Sequence, residues 1–140
     1  MNKKLKILLD TNILLVSISS KSKYHWVFSK LLDNQYQLFV TNEILLEYEE
    51  IISSKYNVNV AKNVIRTLLY LDNVILVTPY FKWNLIKSDK DDNKFVDCYV
   101  ASNSNYLVSH DKHFNCLKEL NFPKINLINI DEFERNLDLR

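Results

Sequence analysis

The sequence contains no glycine in 140 residues, where roughly ten would be usual at about 7%. Glycine-rich loops that cradle phosphate are therefore excluded, and with them the P-loop and the dinucleotide fingerprint. Any phosphate chemistry must use another device. The length suits one domain over residues 1–140, enough to bury about two-thirds of the surface an unfolded chain exposes. Hydrophobic content of 47% and charged content of 25% argue against disorder, collagen and coiled coil. Seventeen acids against eighteen bases give a net charge of +1. That excludes a histone-like blanket of positive charge, so nucleic-acid contact has to come from local patches.

Two further features set the expected compartment. Cys98 and Cys116 have no metal-ligand spacing and read as small apolar filler in a reduced, cytosolic protein. The start Met1-Asn2-Lys3-Lys4 imitates a secretory signal, but Lys6, Asp10 and Asn12 interrupt the apolar run behind it. No stretch reaches the roughly eighteen apolar residues of a membrane helix. The expectation is a soluble cytoplasmic protein with no membrane contact.

Strand-like and helix-like patterns alternate along the chain. Leu5 to Leu9 is a compact apolar run ended by Asp10 and reads as a buried strand. Helical spacing follows over 12–19 and 23–32, then a β-rich run over 36–40. Thr41 or Asn42 can cap a helix reaching about Lys55, and 58–71 is a second amphipathic helix. Val74 to Thr78 is strand-like and stopped by Pro79; residues 80–90 form a polar connection with an exposed-looking Trp83. Asp91 and Asp92 open a helix to about Ser104, followed by a strand over 106–109 and a short helix over 112–120. A last strand spans 126–130, and Asp131 with Glu134 resembles a capping box. This alternation predicts an α/β sandwich with a mainly parallel sheet.

In such a sheet, function collects at the carboxyl ends of the strands. Asp10 ends the first strand, Glu47 lies in the helix beyond the second, Asp92 opens the helix before the fourth, and Asp111 follows that strand. Asp10 abuts a buried strand, and an unpaired buried carboxylate costs several kcal/mol or shifts its pKa. Glu47 sits among Glu43, Glu49 and Glu50 but nearest the apolar stripe of its helix. Asp97 is mid-helix, where aspartate is a poor helix former, on the face of Asn93. Helix capping, a solvated charge run and a turn are the plain alternatives for Asp92, Glu47 and Asp111. Taken together, Asp10, Glu47, Asp92, Asp97 and Asp111 suggest a carboxylate cluster that a hard divalent cation, Mg²⁺ or Mn²⁺, would relieve of its repulsion. An ion so held positions water for in-line attack on a phosphodiester, with no protein nucleophile.

The same stretches resemble the motifs of PIN-domain ribonucleases. Ile7-Leu8-Leu9-Asp10-Thr11-Asn12-Ile13-Leu14 resembles the opening motif and Thr41-Asn42-Glu43-Ile44-Leu45-Leu46-Glu47 the second. Residues 89–98, Asp-Lys-Asp-Asp-Asn-Lys-Phe-Val-Asp-Cys, resemble the third motif in the VapC-like branch, the toxin components of bacterial toxin–antitoxin pairs. Tyr106-Leu107-Val108-Ser109-His110-Asp111-Lys112 resembles the fourth. The resemblance implies a three-layer α/β/α fold with a five-stranded parallel sheet and Mg²⁺- or Mn²⁺-dependent endonucleolytic cleavage of RNA. By position it makes Asp10 the first metal ligand, Glu47 the second, Asp92 the third with Asp97 accompanying it, and Asp111 the fourth. Asn12 and Ser109 match polar residues that brace the site. It also implies a cognate antitoxin and a homodimer as partners. Asn93 departs from the pattern where many relatives carry an acid. Asp92 and Asp97 are five apart, about 140° around a helix, so both can serve only if Asp92 lies in an unwound first turn.

Three other readings compete. His110 and His113 form HxxH around Asp111, but a zinc hydrolase needs a third placed ligand. A receiver domain also carries an acid after its first strand, yet Leu9 and Thr11 flank Asp10 where it needs an acid pair. The main alternative is a catalytically inactive PIN-like module for binding RNA or protein. For substrate guidance, Lys3, Lys4 and Lys6 precede the first strand, and Lys82, Lys87, Lys90 and Lys94 approach the acid-bearing helix with Phe81 and Trp83 interleaved. Lysines with aromatics suit single-stranded RNA; solvated lysines and a partly buried Trp83 are the plain alternative. Changing Lys87 and Lys90 to Ala is expected to flatten the salt dependence of RNA binding, measured by fluorescence anisotropy; an unaltered slope counts against the contact.

Overall fold

The computed structural model describes residues 4–86 and 92–138. Five strands, β1 (Lys6–Leu9), β2 (Gln37–Val40), β3 (Val74–Leu76), β4 (Tyr106–Val108) and β5 (Leu127–Ile128), form one sheet of order β3-β2-β1-β4-β5. Every pairing is parallel, with Ile7 opposite both Leu38 and Tyr106. Ile7, Leu8 and Leu9 are all fully buried. Successive strand residues point to opposite faces, so three buried in a row require cover on both. That cover comes from α1 (Thr11–Ser17), α2 (His25–Leu32), α3 (Asn42–Lys55), α4 (Val58–Tyr70), α5 (Asn93–Ser102) and α6 (Ile130–Asp138). The α/β sandwich with a five-stranded parallel sheet is as the sequence led us to expect.

The chain winds from β1 outward to β3, then returns to build β4 and β5 on the other side of β1. The order reverses between β1 and β4, and ligands bind outside the carboxyl ends of strands at such a switch. Asp10 follows β1 there, and Ser109 and Asp111 follow β4.

Several local expectations shift. Thr41 is the cap of α3, its hydroxyl accepting the Ile44 N–H at 3.1 Å. The short helix expected over 112–120 is a 3₁₀ helix, Lys112–Glu119; the buried Phe114 and Leu117 are three apart, the period of that helix. The capping box of α6 is Asn129 with Glu132, not Asp131 with Glu134. Glu132 Oε1 accepts the Asn129 N–H and Asn129 Oδ1 accepts the Glu132 N–H, at 3.0 and 2.8 Å. Lys6 lies at the amino end of β1, away from the strand ends that carry the acids. Its ammonium donates to the Ser102 carbonyl at 2.7 Å, closing the C-terminus of α5. Cys98 is fully buried, and burial pushes its thiol up to about 12, as suits inert filler, whereas Cys116 is exposed and is not filler. Among the described residues, no helix is long and apolar enough to cross a membrane.

Without glycine, asparagine makes the left-handed turns: the positive-φ residues among those described are Asn34, Asn84 and Asn103. Asn103 (φ 53°, ψ 47°) ends α5, three residues before β4 begins at Tyr106. Asn103→Ala is expected to lower stability by about 1 kcal/mol, while Asn103→Gly should hold or raise it. Urea unfolding midpoints check this, and an Ala variant as stable as the Gly variant would show the turn to be unstrained.

Candidate functional site

Asp10 is the N-cap of α1 and almost wholly buried, at 5% exposure. Its Oδ1 accepts the Thr11 N–H and its Oδ2 accepts the Ser109 hydroxyl, each at 2.8 Å. Ser109 Oγ in turn accepts the Asp111 N–H at 2.9 Å. One hydroxyl thus sets the spacing between the acid after β1 and the acid after β4. Burial, above all, raises the Asp10 carboxyl from 3.8 to about 6. The two hydrogen bonds oppose the rise, and the charges of Asp111 and Glu47 add to it. Glu47, in α3, reaches the same place: one oxygen accepts the Thr11 hydroxyl, and the other stands 2.7 Å from Lys94 Nζ.

The fourth acid comes from α5. Asp92 is buried at its N-terminal edge. Its Oδ2 lies 3.5 Å from His113 Nδ1, which is 3.3 Å from Asp111 Oδ1. One donor atom each from Asp92, Asp111 and His113 falls within 4.8 Å of the others. Asp111 also caps the 3₁₀ helix, its Oδ1 accepting the His113 N–H at 2.9 Å. Carboxylates from four separate elements therefore meet in one chain of contacts, Glu47–Thr11–Asp10–Ser109–Asp111–His113–Asp92. A donor set of carboxylate oxygens with one imidazole, its most buried member raised in proton affinity chiefly by burial, fits a divalent cation.

The family model for the PIN domain matches residues 6–113. The chain belongs to the PIN domain family. Two solved structures are similar to it in fold. A chain of VapBC2 from Rickettsia felis, solved bound to a DNA fragment from its promoter, has a TM-score of 0.60 at 15% identity, over 89% of this chain and 98% of that one. Mycobacterium tuberculosis VapC20, a sarcin–ricin loop cleaving toxin, has a TM-score of 0.60 at 10% identity, over 81% of this chain and 96% of that one. No curated protein matches the sequence.

Within this PIN domain the expected site residues separate into groups. Asp10, Glu47, Asp92, Asp111 and Ser109 lie in the contact chain above. Asp97 turns elsewhere: its Oδ1 accepts the Trp83 N–H at 2.9 Å. Burial raises its pKa, the Trp83 bond and Lys82 lower it, and Glu43 raises it. Asn93, one turn earlier, accepts the Ile86 N–H and donates to the Ile86 carbonyl, at 2.8 and 2.9 Å. Both side chains hold down the 83–86 segment, which explains why a poor helix former sits mid-helix. Asn12 is exposed; its neighbour Thr11 makes the contact with Glu47. Lys94, expected at RNA, is bonded to Glu47 and lies only 15% exposed. Lys87, Lys90 and Asp91 lie outside the described residues.

Trp83 is half-buried rather than exposed, edge-on to Phe81 at 4.8 Å and to Phe122 at 5.7 Å. Sequence reasoning missed Thr11 and gave His113 no role without a third ligand. The signal for His113 was its position two residues beyond Asp111, where an Asx cap brings residue i+2 back over the carboxylate.

Lifting a buried carboxyl from 3.8 to about 6 disfavours its charged form by about 3 kcal/mol. The unfolded chain releases this proton first. The Asp10 contribution to metal-free stability is therefore complete below pH 3.8 and lost as pH rises through about 6. In EDTA, Asp10→Asn is expected to match the wild type near pH 4 and to exceed it at pH 8 by up to about 3 kcal/mol. Thermal melts across that range test it, and two parallel curves would contradict it.

Proposed function

We propose that this PIN domain, residues 1–140, is a metal-dependent endoribonuclease, the toxin of a toxin–antitoxin pair, using Mg²⁺ or Mn²⁺ and working in the cytoplasm. The observation that carries the reading is the convergence of Asp10, Glu47, Asp92 and Asp111 at the switch between β1 and β4. These four would hold the ion. Bound there, a divalent cation supplies a positioned, more acidic water for attack on the phosphodiester and offsets charge on the leaving oxygen.

The chain's own residues do the rest. Thr11 and Ser109 fix the two Asp10 oxygens, and Ser109 ties the Asp111 backbone to the same carboxylate. Lys94 holds Glu47 by its Oε1. Were Glu47 to ligate an ion, the Lys94 ammonium would be released to pair with phosphate, which keeps Lys94 in the RNA-contact role together with Lys87 and Lys90. The exposed Phe81 and Phe122 flanking Trp83 offer ring faces for unpaired bases. Asp97 is left to anchor Trp83. The toxin role and the antitoxin and homodimer partners draw their support from the likeness to VapBC2 and VapC20.

The inactive binding module is the second reading, favoured by one fact: Lys94 already neutralises Glu47. Two measurements separate the readings. Mg²⁺ or Mn²⁺ at 100 times its Kd is expected to stabilise the wild type by about 2.7 kcal/mol in a thermal melt. Asp10→Asn and Asp92→Asn should lose most of that gain. The wild type should also cut a labelled single-stranded RNA internally, and both variants should be at least about 100-fold slower. A protein that neither responds to the ions nor cuts RNA is the binding module.

A further inference from the structure

We infer that His113 is a nitrogen ligand of this metal centre, and that the centre consequently takes Mn²⁺ and the later first-row divalent ions in preference to Mg²⁺. The inference rests on the metal-dependent reading above and adds to it a residue and an ion class.

The argument begins with placement. His113 Nδ1 stands 3.3 Å from Asp111 Oδ1 and 3.5 Å from Asp92 Oδ2, so acids from two different elements face one ring nitrogen. Ligand atoms sharing an ion with bonds of about 2.1 Å stand roughly 3.0–3.5 Å apart. The ring is therefore already at ligand spacing from two carboxylates. Its side chain is 45% exposed, so the ring stands at the solvent boundary of the cluster.

The placement is also built in. Asp111 accepts the His113 N–H at 2.9 Å, so the backbone that carries the ring is locked to the carboxylate beside it. The next residue, Phe114, is fully buried and packs edge-on against Phe95 at 6.1 Å. Phe95 is three residues beyond Asp92 on α5. One aromatic contact thus fixes the 3₁₀ turn against the very helix turn that presents Asp92. None of these restraints needs the His113 side chain, so they persist when it is replaced.

The chemistry follows from ligand type. Mg²⁺ takes oxygen ligands and keeps several waters. Imidazole suits the transition ions, and affinity at a mixed nitrogen–oxygen site climbs from Mn²⁺ through Co²⁺ and Ni²⁺. A site of aspartates alone has this bias only weakly; one imidazole strengthens it.

The test uses the full chain with metal alone. Electron spin-echo modulation of the Mn²⁺-loaded wild type should show a coupled nitrogen, kept in His110→Gln and lost in His113→Gln and His113→Ala. In equilibrium titrations, His113→Gln should lose about tenfold or more in Mn²⁺ affinity and change little toward Mg²⁺, while melting in EDTA as the wild type does. Mn²⁺ bound with no nitrogen coupling, or an unchanged Mn²⁺-to-Mg²⁺ ratio in His113→Gln, overturns the inference and leaves the nuclease reading standing. A wild type that binds neither ion overturns both.

Discussion

A carboxylate buried at the end of the central strand is the constraint around which this protein is arranged. Asp10 cannot be solvated, so its two oxygens take their partners from the fold: the first N–H of α1 and the Ser109 hydroxyl. Each partner has a structural consequence. The first makes Asp10 the cap of α1 and sets where that helix starts, with the helix dipole favouring the negative charge. The second obliges β4 to lie beside β1 and to end at Ser109. Ser109 then passes the restraint on, since its oxygen accepts the Asp111 N–H and so places the next acid. The sheet order, with its reversal between β1 and β4, brings these residues together from 99 positions apart in the chain.

The protein answers the resulting repulsion only in part. Lys94 takes Glu47, and His113 faces Asp92 and Asp111. These are groups that can move off or be shared, unlike the Thr11 and Ser109 bonds, which are short and enclosed. Asp10 receives no cation among the described residues, only dipoles; burial raises its pKa, and the charges of Asp111 and Glu47 add to the rise. A fully compensated cluster would fold more stably and bind an ion less well, because every ion would first have to displace a partner. Leaving the deepest acid uncompensated keeps a standing preference for positive charge at the place where β1 ends.

Much of this was readable residue by residue. The apolar run Ile7-Leu8-Leu9 stopped by Asp10 announces a buried strand and an acid at its end. Thr41 before an amphipathic stretch announces the cap of α3, and the position of Glu47 beside the apolar stripe announces that it can turn inward. Periodicity could not show what depends on packing between elements. The pairing of Lys94 with Glu47 requires α5 to lie against α3 across 47 residues. Asp97 looked like a site acid because its burial was visible in the pattern while its partner, the Trp83 backbone, was not. Backbone donors carry no signature in sequence, so a buried acid satisfied by one is indistinguishable from an acid awaiting a metal. The 3₁₀ turn is different: Phe114, Leu117 and Leu120 recur at a strict spacing of three, a signal that gives the type of the short helix expected there.

The missing glycine ties the backbone to the chemistry. Phosphate-binding loops work by bringing peptide N–H groups close to an anion, which needs residues without a Cβ. This chain makes its left-handed turns with asparagine instead, at positions that end helices or shape loops rather than at the mouth of the site. Its peptide donors at the switch point are already committed: Thr11 to Asp10, and Asp111 to Ser109. What remains to meet a phosphate is an array of oxygen anions, and anions can meet an anion only through a cation between them. The same absence that removes one mode of phosphate recognition leaves a carboxylate cluster of a kind that could hold a cation, with Lys94 and His113 as two side chains that share its charge.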